Sequence, residues 1–105
     1  MKILERKFRG SVICRIFGYP ITYAIVKLLL EKGPKDLDEI VNEVKRAKNT
    51  VCEHLSKLRL VNIVRYEKKQ GKTVYFIKYP NELEAFFDTC ESLVRRTAKG
   101  LDTDY

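Results

Sequence analysis

Two short apolar patterns set close together, followed by an abrupt change of period, leave this chain very few folds. Leu37, Ile40, Val41 and Val44 recur at i, i+3, i+4 and i+7, which makes one face of a helix. Val51, Leu55 and Leu58 form a second such pattern after a gap of only about five residues, so the two helices must be joined by a tight turn. After Arg59 the apolar residues change to strand spacing. The runs from Ile63 to Lys68 and from Thr73 to Tyr79 are rich in Val, Ile, Tyr and Phe, and Lys69-Gln70-Gly71-Lys72 between them reads as a hairpin loop.

The flanks complete the pattern. Ser11 is placed to cap a short helix through Phe17 whose apolar face is Val12, Ile13, Ile16 and Phe17. Gly18-Tyr19-Pro20 breaks the chain, and Pro20 suits the first turn of a helix running to about Lys32. That helix is nearly all apolar between Ile21 and Leu30 and should be the central buried one; Gly33-Pro34 ends it. Asp36 followed by Glu39 has the spacing of a capping box at the start of the third helix. Asn81 with Glu84 has the same spacing ahead of a long final helix lined by Leu83, Phe86, Phe87, Cys90, Leu93 and Val94. Residues 1–10 are expected as a basic arm or the start of a helix, and residues 99–105 as a flexible tail. The order helix, helix, helix-turn-helix, hairpin, helix is that of a winged helix, mainly α with a β-hairpin wing. No repeat or internal linker divides the 105 residues, so they make one domain.

Charge singles out one part of that fold. Residues 45 to 72 hold Lys45, Arg46, Lys48, Lys57, Arg59, Arg65, Lys68, Lys69 and Lys72 against only Glu53 and Glu67, nine minus two, which equals the whole net charge of +7. Concentrated like charge destabilises a folded chain by self-repulsion, and its usual reason is a polyanionic partner, with nucleic acid foremost. The second helix of the turn motif and the hairpin both lie inside the window.

Other classes are excluded or disfavoured. The apolar run Ala24 to Leu30 is broken by Lys27 and too short for a bilayer, and the start of the chain carries charges where a signal peptide is apolar, so no membrane is expected and the location is expected to be cytoplasmic. The sole His, on the turn motif, leaves no Ser/His/Asp or Cys/His set, and scattered glycines make no phosphate loop, which argues against an enzyme. Three cysteines spaced 38 and 38 apart are neither a disulfide framework nor a CxxC zinc pair. Single Gln and His residues beside plentiful Lys, Glu and Ile resemble thermophile usage.

Three stretches, in order, resemble the ArsR/SmtB family of dimeric winged-helix repressors. Phe17-Gly18-Tyr19-Pro20 with Ile25-Val26-Lys27-Leu28-Leu29 is similar to the family's LGDPTR-x-RIL-x-LL. Asn49-Thr50-Val51-Cys52-Glu53-His54-Leu55-Ser56-Lys57-Leu58-Arg59 is similar to STVSxHLxxLR. Leu60 to Val64 with Gly71-Lys72-Thr73-Val74-Tyr75-Phe76 is similar to the family's aGLVxxxxxGRxxyY. The resemblance covers roughly residues 12 to 98 and implies a homodimer on double-stranded DNA, acting as a sequence-specific regulator and repressor. It places Lys48, Asn49, Thr50 and Glu53 near bases, and Lys57, Arg59, Lys68, Lys69 and Lys72 on phosphate, with Lys45 and Arg46 in the turn beside them. It implies a dimer seam through the first and last helices, at Ile13, Phe17, Phe86, Phe87, Cys90, Leu93 and Val94. Where the family has Gly in the turn and a capping Ser, this chain has Lys45-Arg46 and then Ala47, so Asn49 or Thr50 (the latter with Glu53) is expected to cap the second helix.

Many relatives sense metals, but Lys35-Asp36-Leu37-Asp38-Glu39 lacks the family's CxC-type ligands, and near Asp88, Cys90 and Glu91 no His completes a second site. No metal and no cofactor is expected, and any small-molecule effector is unknown. His54 is expected to pack and hydrogen-bond inside the turn motif. Cys14 and Cys90 read as buried small hydrophobes or as a disulfide pair. Cys52 reads as a plain Ser substitute or as a thiol activated at a helix N-terminus, so all three are candidate redox residues. The alternative to a regulator is a winged-helix interaction or architectural module that binds protein or nucleic acid without sequence preference.

Overall fold

A computed structural model describes residues 8–104, with side chains as far as residue 97; of the expected basic arm over residues 1–10, residues 1–7 lie outside the described residues. The elements are α1 (Gly10–Phe17), α2 (Pro20–Lys32), β1 (Lys35–Asp36), α3 (Leu37–Val44), α4 (Lys48–Leu60), β2 (Val64–Lys69), β3 (Lys72–Ile77) and α5 (Pro80–Asp104). This is the winged helix that the periodicities predict.

The core forms where the apolar stripes of α2, α3 and α4 meet. Ile25, Val26, Ile40, Val51, Leu55 and Leu58 are at most 1% exposed, and Val64 at the root of the wing joins them. The α1–α2 corner is fixed from inside by buried Thr22, whose single hydroxyl proton is shared between the carbonyls of Ile16 and Tyr19. Gly33 takes φ +82° beyond the end of α2, a left-handed angle that L side chains rarely adopt, so the expected glycine stop is present. Asp36 caps α3 in a full capping box, its carboxylate accepting from the Glu39 N–H at 2.9 Å while Glu39 accepts from the Asp36 N–H at 3.0 Å. Those contacts, with Lys72 adding to them, hold the Asp36 carboxyl below its ordinary value.

Several boundaries differ from expectation. Arg9 rather than Ser11 occupies the N-cap of α1, and the Ser11 hydroxyl donates back to the Phe8 carbonyl. Neither Asn49 nor Thr50 caps α4; Ala47 stands at its N-cap without a side-chain bond, because the turn after Lys45 brings the chain into helix two residues early. Asn81 lies inside α5, which starts at Pro80, the residue best suited to a first helical turn. The helix continues through Asp104, where a tail from residue 99 was expected. Lys35–Asp36 forms a short third strand, antiparallel to β3 with Lys35 opposite Tyr75 and Asp36 opposite Val74, giving the order β1-β3-β2.

Helix α5 packs its first half on the body through an aromatic group: the Phe87 ring lies 5.1 Å from Phe17, 4.4 Å from Tyr23 and 5.7 Å from Phe86. Lys27 on α2 and Glu91 on α5 form an ion pair. Beyond it Leu93 and Val94 are 56% and 53% exposed. Among the described residues no single helix is long and apolar enough to cross a membrane.

Candidate nucleic-acid interface

The tight turn between α3 and α4 is made by Lys45, which closes α3 in the left-handed region at φ 55° with its N–H bonded to the Val41 carbonyl at 2.9 Å. A left-handed residue there reverses the chain within three positions, the reason glycine is common in such turns. Here the position holds an exposed cation instead. Arg46 beside it is also exposed and folds back on the Lys45 carbonyl.

Helix α4 buries Val51, His54, Leu55 and Leu58 on one side. At 3.6 residues per turn the opposite side is Asn49, Glu53, Ser56 and Leu60, and all four are exposed, Leu60 to 87%. Of the residues expected near bases, Asn49 and Glu53 lie on this stripe. Thr50 is half-buried on one flank, and Lys48 is exposed on the other. Ser56 and Leu60 were not among the expected site residues. The signal for them was present in the sequence as the complement of the Val51, Leu55, Leu58 stripe.

The two flanks of α4 each carry one ordered cation. Lys57 stands on the Thr50 side, its ammonium 4.9 Å from the centre of the Tyr19 ring and 3.8 Å from Glu53. Arg59 stands on the Lys48 side, its guanidinium 4.3 Å from the centre of the Tyr66 ring on β2. Between α4 and β2 a groove is lined by Ser56, Arg59, Asn62, Arg65 and Tyr66, and the Arg65 guanidinium donates to Asn62 Oδ1 at 3.4 Å. On the same flank Lys48 shares a hollow with Asp36, Lys72 and Thr73.

The wing is a tight hairpin. Gln70 and Gly71 both have positive φ, 51° and 79°, the pattern of a two-residue turn that matches strand twist. Lys69 faces Lys72 directly across the ladder and Lys68 faces Thr73. Like charges so placed destabilise a hairpin, and each of the facing pair has an acidic partner, Lys69 with Glu67 at 3.2 Å and Lys72 with Asp36 at 3.6 Å. Lys68 has no acidic partner among the described residues. The charged window of the sequence is thus gathered on α4, the turn before it and the wing.

His54 is buried, but its Nδ1 has no hydrogen-bond partner, so the expected bond within the turn motif is absent. The Tyr19 ring packs beside the imidazole, 5.6 Å away between centres. Burial, then Lys57, hold it below its ordinary pKa against a smaller upward pull from Glu53. All three cysteines are free. Cys14 is exposed rather than a buried hydrophobe, and Cys90 is half-buried. Cys52 is half-buried on the wing side of α4, near enough to the Tyr75 phenol to act on it electrostatically, instead of lying on the exposed stripe. Among the described residues no three of His, Cys, Asp and Glu cluster to hold a metal ion.

The expected dimer residues fall into three sets, with Cys90 half-buried apart from them. Phe17 and Phe87 are 8% and 3% exposed inside the protomer's own core, because the aromatic group described above encloses them. Ile13 and Phe86 are half-buried along an apolar groove of about 430 Å³ that Val61, Ile63 and Leu83 also line. Leu93 and Val94 project outward beyond it.

The family model described as "Bacterial regulatory protein, arsR family" matches residues 22–66, from α2 into the wing. An uncharacterized HTH-type transcriptional regulator of Methanocaldococcus jannaschii, MJ1325, is 31% identical over 74 residues, 70% of this chain and 83% of that one. Among solved structures, Rv0081 of M. tuberculosis superposes with a TM-score of 0.78 at 18% identity, over 95% of this chain and 99% of the other. The homodimeric winged helix-turn-helix DNA-binding domain of Mb0332 from Mycobacterium bovis superposes with a TM-score of 0.69 at 14% identity, over 92% and 93%.

Proposed function

The chain belongs to the ArsR family of winged helix-turn-helix transcriptional regulators, and from that premise we propose that it is a homodimeric repressor reading an operator with the exposed stripe of α4. The observation that carries this is the stripe itself: Asn49, Glu53 and Ser56 stand opposite the buried seam, with cations on both flanks. A helix laid in the major groove presents such a stripe to base edges and its flanks to the phosphate walls. Asn49 can pair in bidentate fashion with adenine, Glu53 can accept from cytosine N4, and Ser56 serves either kind of edge. Lys45, Arg46, Lys48, Lys57, Arg59, Lys68, Lys69 and Lys72 then hold phosphate and fix register without reading sequence. Thr50, half-buried on the flank, meets the edge of the site instead of its centre.

A second copy is the proposed occupant of the apolar strip formed by the Ile13–Phe86 groove and by Leu93 and Val94. Those residues run on from the body along α5, where none of the described residues covers Leu93 and Val94. Two copies related by a two-fold axis would present two α4 helices to half-sites about one helical turn apart, and occupying such a site blocks polymerase. Among the described residues no cluster of metal ligands supports sensing of the kind known in the family, so operator binding should be indifferent to zinc and to chelator. The place of action would be the cytoplasm, with the DNA.

Two substitutions test the docking. Asn49→Ala should alter the preferred base at one position of each half-site, whereas Lys68→Ala should weaken all duplexes alike and flatten the salt dependence. If Asn49→Ala leaves sequence preference untouched, the stripe does not read bases. Leu93→Asp should yield monomers in sedimentation together with loss of tight binding; a monomeric wild type refutes the dimer.

A further inference from the structure

We propose that Tyr19 and Tyr66 are positioning residues which hold Lys57 and Arg59 ready for the two phosphate walls of the groove that α4 enters. The inference rests on the DNA-binding reading above and goes beyond it, because neither tyrosine lies on α4.

Lys57 and Arg59 are two positions apart, so at about 100° per residue they project from opposite sides of the helix. The buried Leu58 lies between them on one side and the Asn49, Glu53, Ser56 stripe on the other. The major groove is about 12 Å wide and a helix with its side chains is about 10–12 Å across, so residues on the flanks meet the sugar-phosphate walls. The two cations are therefore where those walls stand.

Each cation is already ordered by an aromatic face. The Lys57 ammonium is 4.9 Å from the Tyr19 ring centre, and the Arg59 guanidinium 4.3 Å from the Tyr66 centre. Both rings are half in solvent, at 47% and 45% exposure, so each cation lies on an aromatic side chain at the surface. Both are also braced from behind. Tyr19 packs on the His54 imidazole, and its carbonyl accepts from the buried Thr22 hydroxyl at 2.9 Å. Tyr66 stands opposite Tyr75 in the ladder, ring centres 6.0 Å apart. Long cationic side chains lose rotamer freedom when they bind phosphate. A ring that has already restricted them lowers that loss and still leaves the donors outward, since a cation over a π face keeps its far side free. Lys57 has a second neighbour, Glu53 at 3.8 Å. When Glu53 turns to a base, the Tyr19 ring is what keeps Lys57 in place.

The test is a pair of double-mutant cycles, Tyr66→Leu with Arg59→Met and Tyr19→Leu with Lys57→Met, read by fluorescence anisotropy on a labelled mixed-sequence duplex across a salt series. Thermal melts establish that each variant is folded, and Tyr66→Phe and Tyr19→Phe keep the ring. Each Leu variant should bind about two- to fivefold more weakly per protomer with an unchanged salt slope, because the phosphate contact persists. Each Met variant should flatten the slope by about 0.9 per protomer. The Leu change should add nothing once the cation is gone, and the Phe variants should match wild type. Additive losses, or Phe variants as weak as Leu variants, overturn the positioning role. Wild-type-like Leu variants overturn it too while leaving DNA binding intact, whereas a wild type with no salt-sensitive binding overturns both.

Discussion

Lys45→Gly should stabilise the protein and weaken its grip on DNA in the same step. Lys45 closes α3 at φ 55°, in the left-handed region where a side chain costs an L-residue roughly 1–2 kcal/mol. Glycine removes that strain but brings an unfolded-state entropy cost of roughly 0.5–1 kcal/mol. The side chain is exposed and the Val41 carbonyl is held by the backbone N–H, so no packing or hydrogen bond is lost. The net gain is about 0.5–1 kcal/mol, which for a domain of this size raises Tm by about 3–6 °C. On DNA the variant lacks one phosphate contact per protomer, two per dimer, so the slope of log K against log salt falls by about 1.8. Between 50 and 200 mM salt the wild type should then lose about twelvefold more affinity than the variant. Thermal unfolding followed by circular dichroism and anisotropy titrations at several salt concentrations measure the two effects. Lys45→Ala is the control: it should flatten the slope equally without raising Tm. A lowered Tm for Lys45→Gly, or salt slopes that coincide with wild type, refutes the reasoning.

Gln70→Asn should stabilise the wing by about 0.5 kcal/mol, because Asn tolerates the positive φ of the two-residue turn better than Gln, and slower amide exchange in β2 and β3 would show it. Its absence would mean that the turn is not the weak point of the hairpin. Glu53→Gln removes the one negative charge on the exposed stripe and should tighten binding to all duplexes while relaxing any preference for cytosine; unchanged affinity and unchanged preference would place Glu53 away from DNA. For His54, the folded pKa is depressed by burial, so the unfolded chain takes up the proton first as pH falls. The stability due to neutral His54 is complete above its unfolded value of about 6.5 and declines as pH drops through the interval down to the folded value. Urea midpoints should therefore fall between pH 7 and 5 in wild type and stay flatter in His54→Gln, whereas parallel curves would assign the decline to another group.

The parts of the fold legible in sequence were those set by near neighbours. The Asp36–Glu39 box, Pro20 at the start of α2, Gly33 after it and the hairpin around Gln70-Gly71 each depend on residues within one turn of one another. Strand β1 escaped notice because two residues carry no periodicity, and what makes them a strand is pairing with Val74 and Tyr75 far along the chain. The start of α4 was misplaced for a related reason: the left-handed Lys45 sets where the helix can begin, and no local cap competes with it. Phe17 and Phe87 show a limit of apolar patterning, since the same face of a helix can cover its own core or a partner and periodicity does not distinguish them. Charge pointed to the one surface that α4, the turn before it and the wing share, but not to the order within it. That Lys69 and Lys72 are matched with Glu67 and Asp36, while Lys57 and Arg59 lie over tyrosines, follows from side chains converging from four elements.

Selection of random duplexes by the purified wild-type protein bears most directly on the claim that two α4 stripes read one operator. Recovery of an inverted repeat with half-site centres about 10 base pairs apart is the expected result. Recovery of salt-sensitive binding with no shared motif would contradict it, leaving a basic surface that holds DNA without reading it.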